Sequence, residues 1–232
     1  MNIKSHQKFE GVFYTGYGDQ TRLYTKNRDI GRTIYGERTL MEEEEEYREW
    51  NPYRSKLAAT ILNNARNIYI SNLTTILYLG ASSGTTVSHI SDLTAKTIYA
   101  VEFAPRSIRE LIQNCANRDN VIPILADANN PEKYAKFIFE EIDIVYQDVA
   151  QPNLTDIAIM NCKKYLKDGG ILILAVKAKS IDVTKSIHTI FNEETQKLEN
   201  HGFEIIEKIP LTPYSKDHLM IIARFFHDSS LR

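Results

Sequence analysis

Thr75-Ile76-Leu77-Tyr78-Leu79-Gly80-Ala81-Ser82-Ser83-Gly84-Thr85-Thr86 is the stretch on which the reading of this chain turns. It opens as a short, unbroken apolar run, the pattern expected of a parallel strand buried on both faces. The small residues after it let the backbone turn sharply and approach a ligand. A helix starting near Thr85 would aim its free amide groups at anionic atoms. In doubly wound sheets a strand, a tight turn and a helix in this order mark the crevice where nucleotides bind. The run is not a full G-x-G-x-x-G, because Ala81 and Ser82 stand where further glycines are expected. Taken alone it also fits a ligand-free turn.

Working outward, the same grammar repeats. Apolar runs at 75–79, 97–101, 121–125, 142–146 and 170–177 predict strands, and amphipathic stretches at 85–93, 105–117, 155–167 and 183–202 predict the helices between them. The end differs: 203–209 and 218–225 read as two consecutive strands joined by a loop holding Pro210 and Pro213. Ahead of the sheet, Ser55 is placed to cap a helix running to about Arg66. The fold class is therefore α/β, a doubly wound sheet finished by a hairpin.

Polar residues gather at the predicted carboxyl ends. Glu102 closes the second strand 22 positions after Gly80, where an acid meets the ribose hydroxyls of a nucleoside. Asp127 follows the third strand, placed to accept from an exocyclic amine. The fourth strand ends Tyr146-Gln147-Asp148-Val149-Ala150-Gln151-Pro152, which sends Asp148 into the same crevice. Alternation along the fifth strand puts Ile173, Ala175, Lys177 and Lys179 on one face and does not choose between the two lysines, although Lys177 lies nearer the sheet. Lys56 opens the first helix, an unfavourable place for a cation beside the positive end of the dipole. His218 begins the last strand. Singly, each reads equally well as a surface charge or a structural histidine.

The first 54 residues read as a small antiparallel β subdomain, with β-like pieces at Gly11–Tyr14 and Thr33–Gly36 and the run Glu42–Glu46 as a solvated hairpin tip. Residues 55–232 form the α/β domain. Hydrophobic residues make up 43% and charged residues 25%, as in ordinary globular proteins. The longest apolar run, Ile171–Val176, is too short to span a bilayer, and the start lacks the apolar core of a signal peptide, so an intracellular, cytoplasmic protein is expected. Cys115 and Cys162 have no neighbours at metal-ligand spacing, so neither a metal site nor a disulfide is expected. Lys plus Arg number 28 against 30 Asp plus Glu, a balance that argues against a solo high-affinity grip on nucleic acid.

Several longer motifs bear a family likeness. Tyr78–Thr86, Asp127-Ala128-Asn129 and Gln147–Pro152 resemble the corresponding stretches of the fibrillarins. So do Arg48-Glu49-Trp50-Asn51-Pro52, Arg54-Ser55-Lys56-Leu57-Ala58 and Lys177–Asp182. The resemblance runs in order along nearly the whole chain. It implies a Rossmann-like S-adenosylmethionine-dependent methyltransferase fold, with a mostly parallel seven-stranded sheet, a C-terminal antiparallel hairpin and an N-terminal β-rich subdomain. It also implies an RNA ribose 2′-O-methyltransferase acting on rRNA and tRNA within a box C/D guide-RNA particle. A Nop-type scaffold protein and a kink-turn-binding ribosomal-type protein would complete that particle. Carried over by motif, the catalytic set would be Lys56, Asp148, Lys177 and His218. Cofactor contacts would come from Gly80, Ala81, Gly84, Thr85, Thr86, Glu102, Phe103, Asp127, Ala128, Asp148 and Gln151. The chain lacks the glycine- and arginine-rich tail of eukaryotic fibrillarins and so resembles the shorter archaeal form. Three other functions compete: a dinucleotide-dependent oxidoreductase, a non-catalytic assembly subunit and a protein glutamine methyltransferase.

Overall fold

The computed structural model describes residues 3–227, so the outer limits of both expected domains, 1 and 232, lie outside the described residues. The N-terminal part is a five-stranded antiparallel sheet made of β1 (Lys4–Ser5), β2 (Val12–Thr15), β3 (Arg22–Lys26), β4 (Thr39–Glu42) and β5 (Glu45–Trp50), in the order β1-β2-β3-β5-β4. The glutamate run does form a hairpin tip, with Glu43 at φ 58 in the turn. One member departs from the expected solvated turn. Glu46 is buried and accepts from Asn27 Nδ2 and from the Gly31 amide at 3.0 Å, which closes the β3–β4 loop. Thr33–Gly36, expected to be β-like, is irregular instead. The Glu37 carboxylate takes the amides of Ile34 and Tyr35, and these bonds replace a strand partner.

The α/β part follows the chain order α1 (Lys56–Leu62), β6 (Ile76–Leu79), α2 (Thr85–Leu93), β7 (Ile98–Glu102), α3 (Pro105–Asn114), β8 (Val121–Leu125), β9 (Ile142–Gln147), α4 (Leu154–Tyr165), β10 (Leu166–Lys177), α5 (Ala178–Ile181), α6 (Ile187–Glu199), β11 (Phe203–Pro210) and β12 (His218–Phe225). A 3₁₀ segment, Pro131–Phe137, precedes β9 and carried no periodic signal. The sheet order is β11-β12-β10-β9-β6-β7-β8. Five strands are parallel, and β12 lies antiparallel between β10 and β11. The chain moves one way from β6 through β7 to β8, then returns to the other side of β6 for β9, so order reverses there. The carboxyl ends of β6 and β9 therefore diverge into helices on opposite sides and leave a crevice. Helix α1 is shorter than expected. Ser55 caps it as predicted, but Asn64 at φ 64 ends it four residues before the expected limit near Arg66. No helix among the described residues is long and apolar enough to cross a membrane.

One face of the large sheet packs on α1 and α2, and apolar residues of the small sheet (Val12, Leu23 and Trp50) join the same core. The other face packs on α4 and α6. Between the small sheet and α2 lies a cluster of fully buried charges. Asp92 receives Arg48 Nε at 2.9 Å and Arg118 NH1 at 2.5 Å, and Arg48 NH1 reaches Glu37 at 2.7 Å. His89 bridges the two layers, bonding Thr25 Oγ1 at 2.8 Å and the Tyr35 hydroxyl at 2.9 Å and stacking on Trp50. Burial, then the two arginines, hold its pKa well below the ordinary range, so it is neutral. The two arginines balance the two carboxylates, and this balance is what makes burying them tolerable. Removing one side breaks it. Asp92→Asn is expected to cost about 3–5 kcal/mol of stability, read as a lowered midpoint in denaturant unfolding. Unchanged stability would show that the cluster carries no weight in joining the two sheets.

Candidate active site

The crevice above β6 and β9 opens into a cavity of about 640 Å³, a size common for small-molecule sites. Its floor is the loop after β6. Gly80 sits at φ +82, and a Cβ there would lie 3.0 Å from the Asp148 carbonyl oxygen, so the two strand ends can approach only with glycine at this position. Gly84 meets a different demand. It starts α2 at φ +93, where a side chain would strike Leu111 at 2.7 Å. It packs α2 against α3 and does not line the cavity. Every other expected cofactor residue does: Gly80, Ala81, Thr85, Thr86, Glu102, Phe103, Asp127, Ala128, Asp148 and Gln151.

Glu102 ends β7 with its carboxylate buried and fixed. Oε2 accepts the Ser82 amide and Oε1 the Ala104 amide, both at 2.8 Å. Each oxygen keeps acceptor capacity for a further donor. Asp127 follows β8 and accepts the backbone and side-chain N–H groups of Asn129, which hold its carboxyl below the usual carboxylate range. Asn129 in turn donates to Gln151 at 2.8 Å, which ties the loops after β8 and β9 into one wall. Phe103 leaves most of its ring exposed at the rim.

On the opposite wall Asp148 lies between two ammonium groups. Lys56 Nζ donates to Oδ2 at 2.9 Å. Lys177 Nζ stands 2.7 Å from Oδ1 and donates to the Asp148 carbonyl at 2.9 Å. Lys56 is brought there by the cap of α1. Ser55 Oγ accepts the Ala58 amide at 3.5 Å and the Thr86 hydroxyl at 3.0 Å, which ties α1 to the start of α2. Lys177 is mostly buried, and burial pushes its pKa down. Asp148 opposes the shift and Lys56 reinforces it. Lys179 belongs elsewhere, because α5 begins at Ala178 and ends the strand alternation expected to reach it. Its ammonium is largely exposed and pairs with Asp217 at 2.8 Å. His218 pairs with Lys177 across the β10–β12 ladder. Its Nδ1 bonds the Lys216 carbonyl at 2.6 Å, and burial lowers its pKa. It stands beside the two lysines without lining the cavity itself. Cys115 and Cys162 are buried and free.

Sequence reading did not single out Tyr53, Arg54, Tyr78 or Ser82, which also line the cavity. Ser82 acts through its backbone, Tyr78 reads as a core strand residue, and Tyr53 and Arg54 precede a helix cap with no signal of their own. The motif around Lys56 includes Arg54, and Tyr53 directly precedes it.

Among known proteins, the Fibrillarin family model matches residues 3–227. A curated Methanocaldococcus jannaschii protein, fibrillarin-like rRNA/tRNA 2′-O-methyltransferase, is 46% identical over 224 residues, covering 96% of this chain and 97% of its own. A crystal structure of Aeropyrum pernix fibrillarin with natively bound S-adenosyl-L-methionine superposes with a TM-score of 0.87 at 42% identity, covering 96% of this chain and 98% of that one. The fibrillarin of a fibrillarin/Nop5p complex gives a TM-score of 0.80 at 38% identity, covering 88% and 94%. With the match running the length of the described residues, and the strand-end cavity in place, this chain belongs to the fibrillarin family.

Proposed function

We propose that this chain is an S-adenosylmethionine-dependent RNA ribose 2′-O-methyltransferase, the catalytic subunit of a box C/D guide-RNA particle that modifies rRNA and tRNA. The observation that carries the reading is the Asp148 carboxylate held between Lys56 and Lys177 on the wall of a nucleoside-sized cavity.

The residues present fit the cofactor. The immobilised Glu102 carboxylate offers two acceptors to a ribose cis-diol. Gly80 and Ala81 leave backbone at the floor for close approach, and Phe103 presents an exposed apolar ring at the rim. Asp127 stands where an exocyclic amine would be held, and Gln151 closes the same wall. When bound, the cofactor supplies an electrophilic methyl group on a sulfonium sulfur.

What remains for the protein is to place a ribose hydroxyl and take its proton. A secondary alcohol is a weak nucleophile, and a positioned base contributes roughly 10²–10⁴-fold. Lys177 Nζ is the base in this reading: its neutral amine would take the 2′-hydroxyl proton, while the bound cofactor would supply the methyl group, the carbon–sulfur bond breaking to leave a neutral thioether. Asp148 fixes the positions of both lysines, and Lys56 repels a proton from Lys177. His218, facing Lys177 across the ladder, positions the ribose. A guide RNA would select the nucleotide. A Nop-type scaffold would dock the enzyme, and a kink-turn-binding protein would nucleate the assembly. The net charge of −2 accords with a subunit that leaves most of the RNA grip to its partners in the cytoplasm.

Three measurements bear on this. In a particle reconstituted with guide RNA and partners, methyl transfer is expected at a guide-selected ribose, and Lys177→Ala should lower its rate by about 10² or more while the chain still binds cofactor. Near-normal transfer by that variant would remove Lys177 as the base. Because the base must be unprotonated, wild-type kcat should rise with pH through a titration below the ordinary lysine value of 10.5. Lys56→Met, which removes a like charge, should move that rise to higher pH. A pH-independent rate, or a shift the other way, is incompatible with the roles assigned to the two lysines. Glu102→Ala should weaken cofactor binding by roughly 10–100-fold in calorimetry, the effect of losing a charged acceptor. Unaltered affinity would place the ribose elsewhere.

A further inference from the structure

Beside the cavity lies a second groove of about 360 Å³, lined among others by Arg22, Tyr35, Glu37, Arg38, Glu49 and Arg54. Arg54 lines both spaces, so the groove adjoins the cavity whose lining includes Lys56 and Lys177. Its charges do not cancel. Arg22 is paired with Glu49 at 3.2 Å, and Glu37 is turned inward to the buried Arg48 and the amides of Ile34 and Tyr35. Arg38 and Arg54 are exposed, and neither has a carboxylate partner among the described residues. Arg54 rests instead over the Tyr35 ring at 5.7 Å, which holds its guanidinium near the groove without neutralising it. Two unpaired arginines in one groove stand out in a chain whose net charge is −2.

We propose that this groove is a phosphodiester-binding subsite that holds the RNA backbone next to the nucleotide whose ribose enters the cavity. The inference rests on the RNA-methylating reading above and extends it. A guanidinium matches phosphate oxygens with two parallel N–H bonds, and two of them along a groove suit a chain of phosphates. On the cavity side, next to Arg54 in sequence, Tyr53 leaves two thirds of its surface exposed and is braced edge-on by Tyr214 at 5.2 Å. A braced, exposed ring beside an electropositive groove is what an unstacked base uses in single-strand recognition.

The test is binding of a short single-stranded oligoribonucleotide to the full chain, followed by fluorescence anisotropy across a salt series. Wild type is expected to bind, and Arg38→Gln and Arg54→Gln should each weaken binding roughly fivefold at low salt, the scale of one surface charge contact. Each should also flatten the log–log salt dependence by about 0.7, the share of one single-strand phosphate. Arg38→Lys and Arg54→Lys should keep the wild-type slope, which separates charge from any structural effect. Circular dichroism of each variant should match wild type. An unchanged slope in both Gln variants, or no RNA binding by wild type even at low salt, overturns the subsite. So does loss of scaffold-protein binding with RNA binding intact, because the groove would then dock an acidic protein segment. The functional reading fails separately, through absence of methyl transfer in the reconstituted particle while oligonucleotide binding persists.

Discussion

Two strand ends, those of β6 and β9, must come within van der Waals distance where the sheet order reverses, and most of the site follows from that contact. Gly80 permits the approach by taking a positive φ and carrying no Cβ against the Asp148 carbonyl. With the ends that close, the Asp148 side chain lines the crevice, where Lys56 and Lys177 meet it from two other elements. The three groups carry a net single positive charge in a partly buried place. Asp148 thus lowers the cost of gathering two ammonium groups, while burial, reinforced by Lys56, keeps proton affinity at Lys177 below that of a free lysine.

The small N-terminal sheet serves the site from a distance. Its β5 supplies Arg48 and its β3 supplies Thr25, and both are bound to side chains on α2, the helix that leaves the cofactor loop. A balanced set of buried charges is demanding in geometry, so it holds α2 in one orientation where apolar packing alone would tolerate sliding. The same chain segment then runs through Asn51 and Arg54, which face the basic groove, to Ser55 and Lys56 at the head of α1. Sheet, groove and the cavity wall that bears Lys56 are consecutive along one stretch of backbone.

Much of this was legible in the residues because local patterns carried it. Apolar runs separated by amphipathic stretches located the parallel strands, and Glu102 and Asp127 stand at or just after strand ends, as their places in the sequence implied. Other features were read wrongly or not at all. Period-two alternation put Lys179 on the same face as Lys177 and did not choose between them, but the chain enters a helical turn at Ala178 and sends Lys179 to Asp217. The glutamate run read as uniformly solvated, yet Glu46 turns inward because Asn27 and Gly31 need an acceptor. The demand that Leu111 makes on Gly84, which leaves no room for a Cβ, had no local signal. The ion pairs of Arg48 and Arg118 with Asp92 gave no signal, since the partners lie tens of residues apart.

By itself the sequence determined the layer architecture, the position of the ligand loop and the membership of a set of ionisable groups. Hydrophobic period and small-residue turns act over a few neighbours and leave their mark in linear order. Only the tertiary structure decided which lysine meets Asp148, how Glu102 is anchored and which arginines remain unpaired at the rim. Those outcomes depend on charge pairing and desolvation between elements far apart in the chain, and such terms have no value until the backbone brings the groups within a few ångströms.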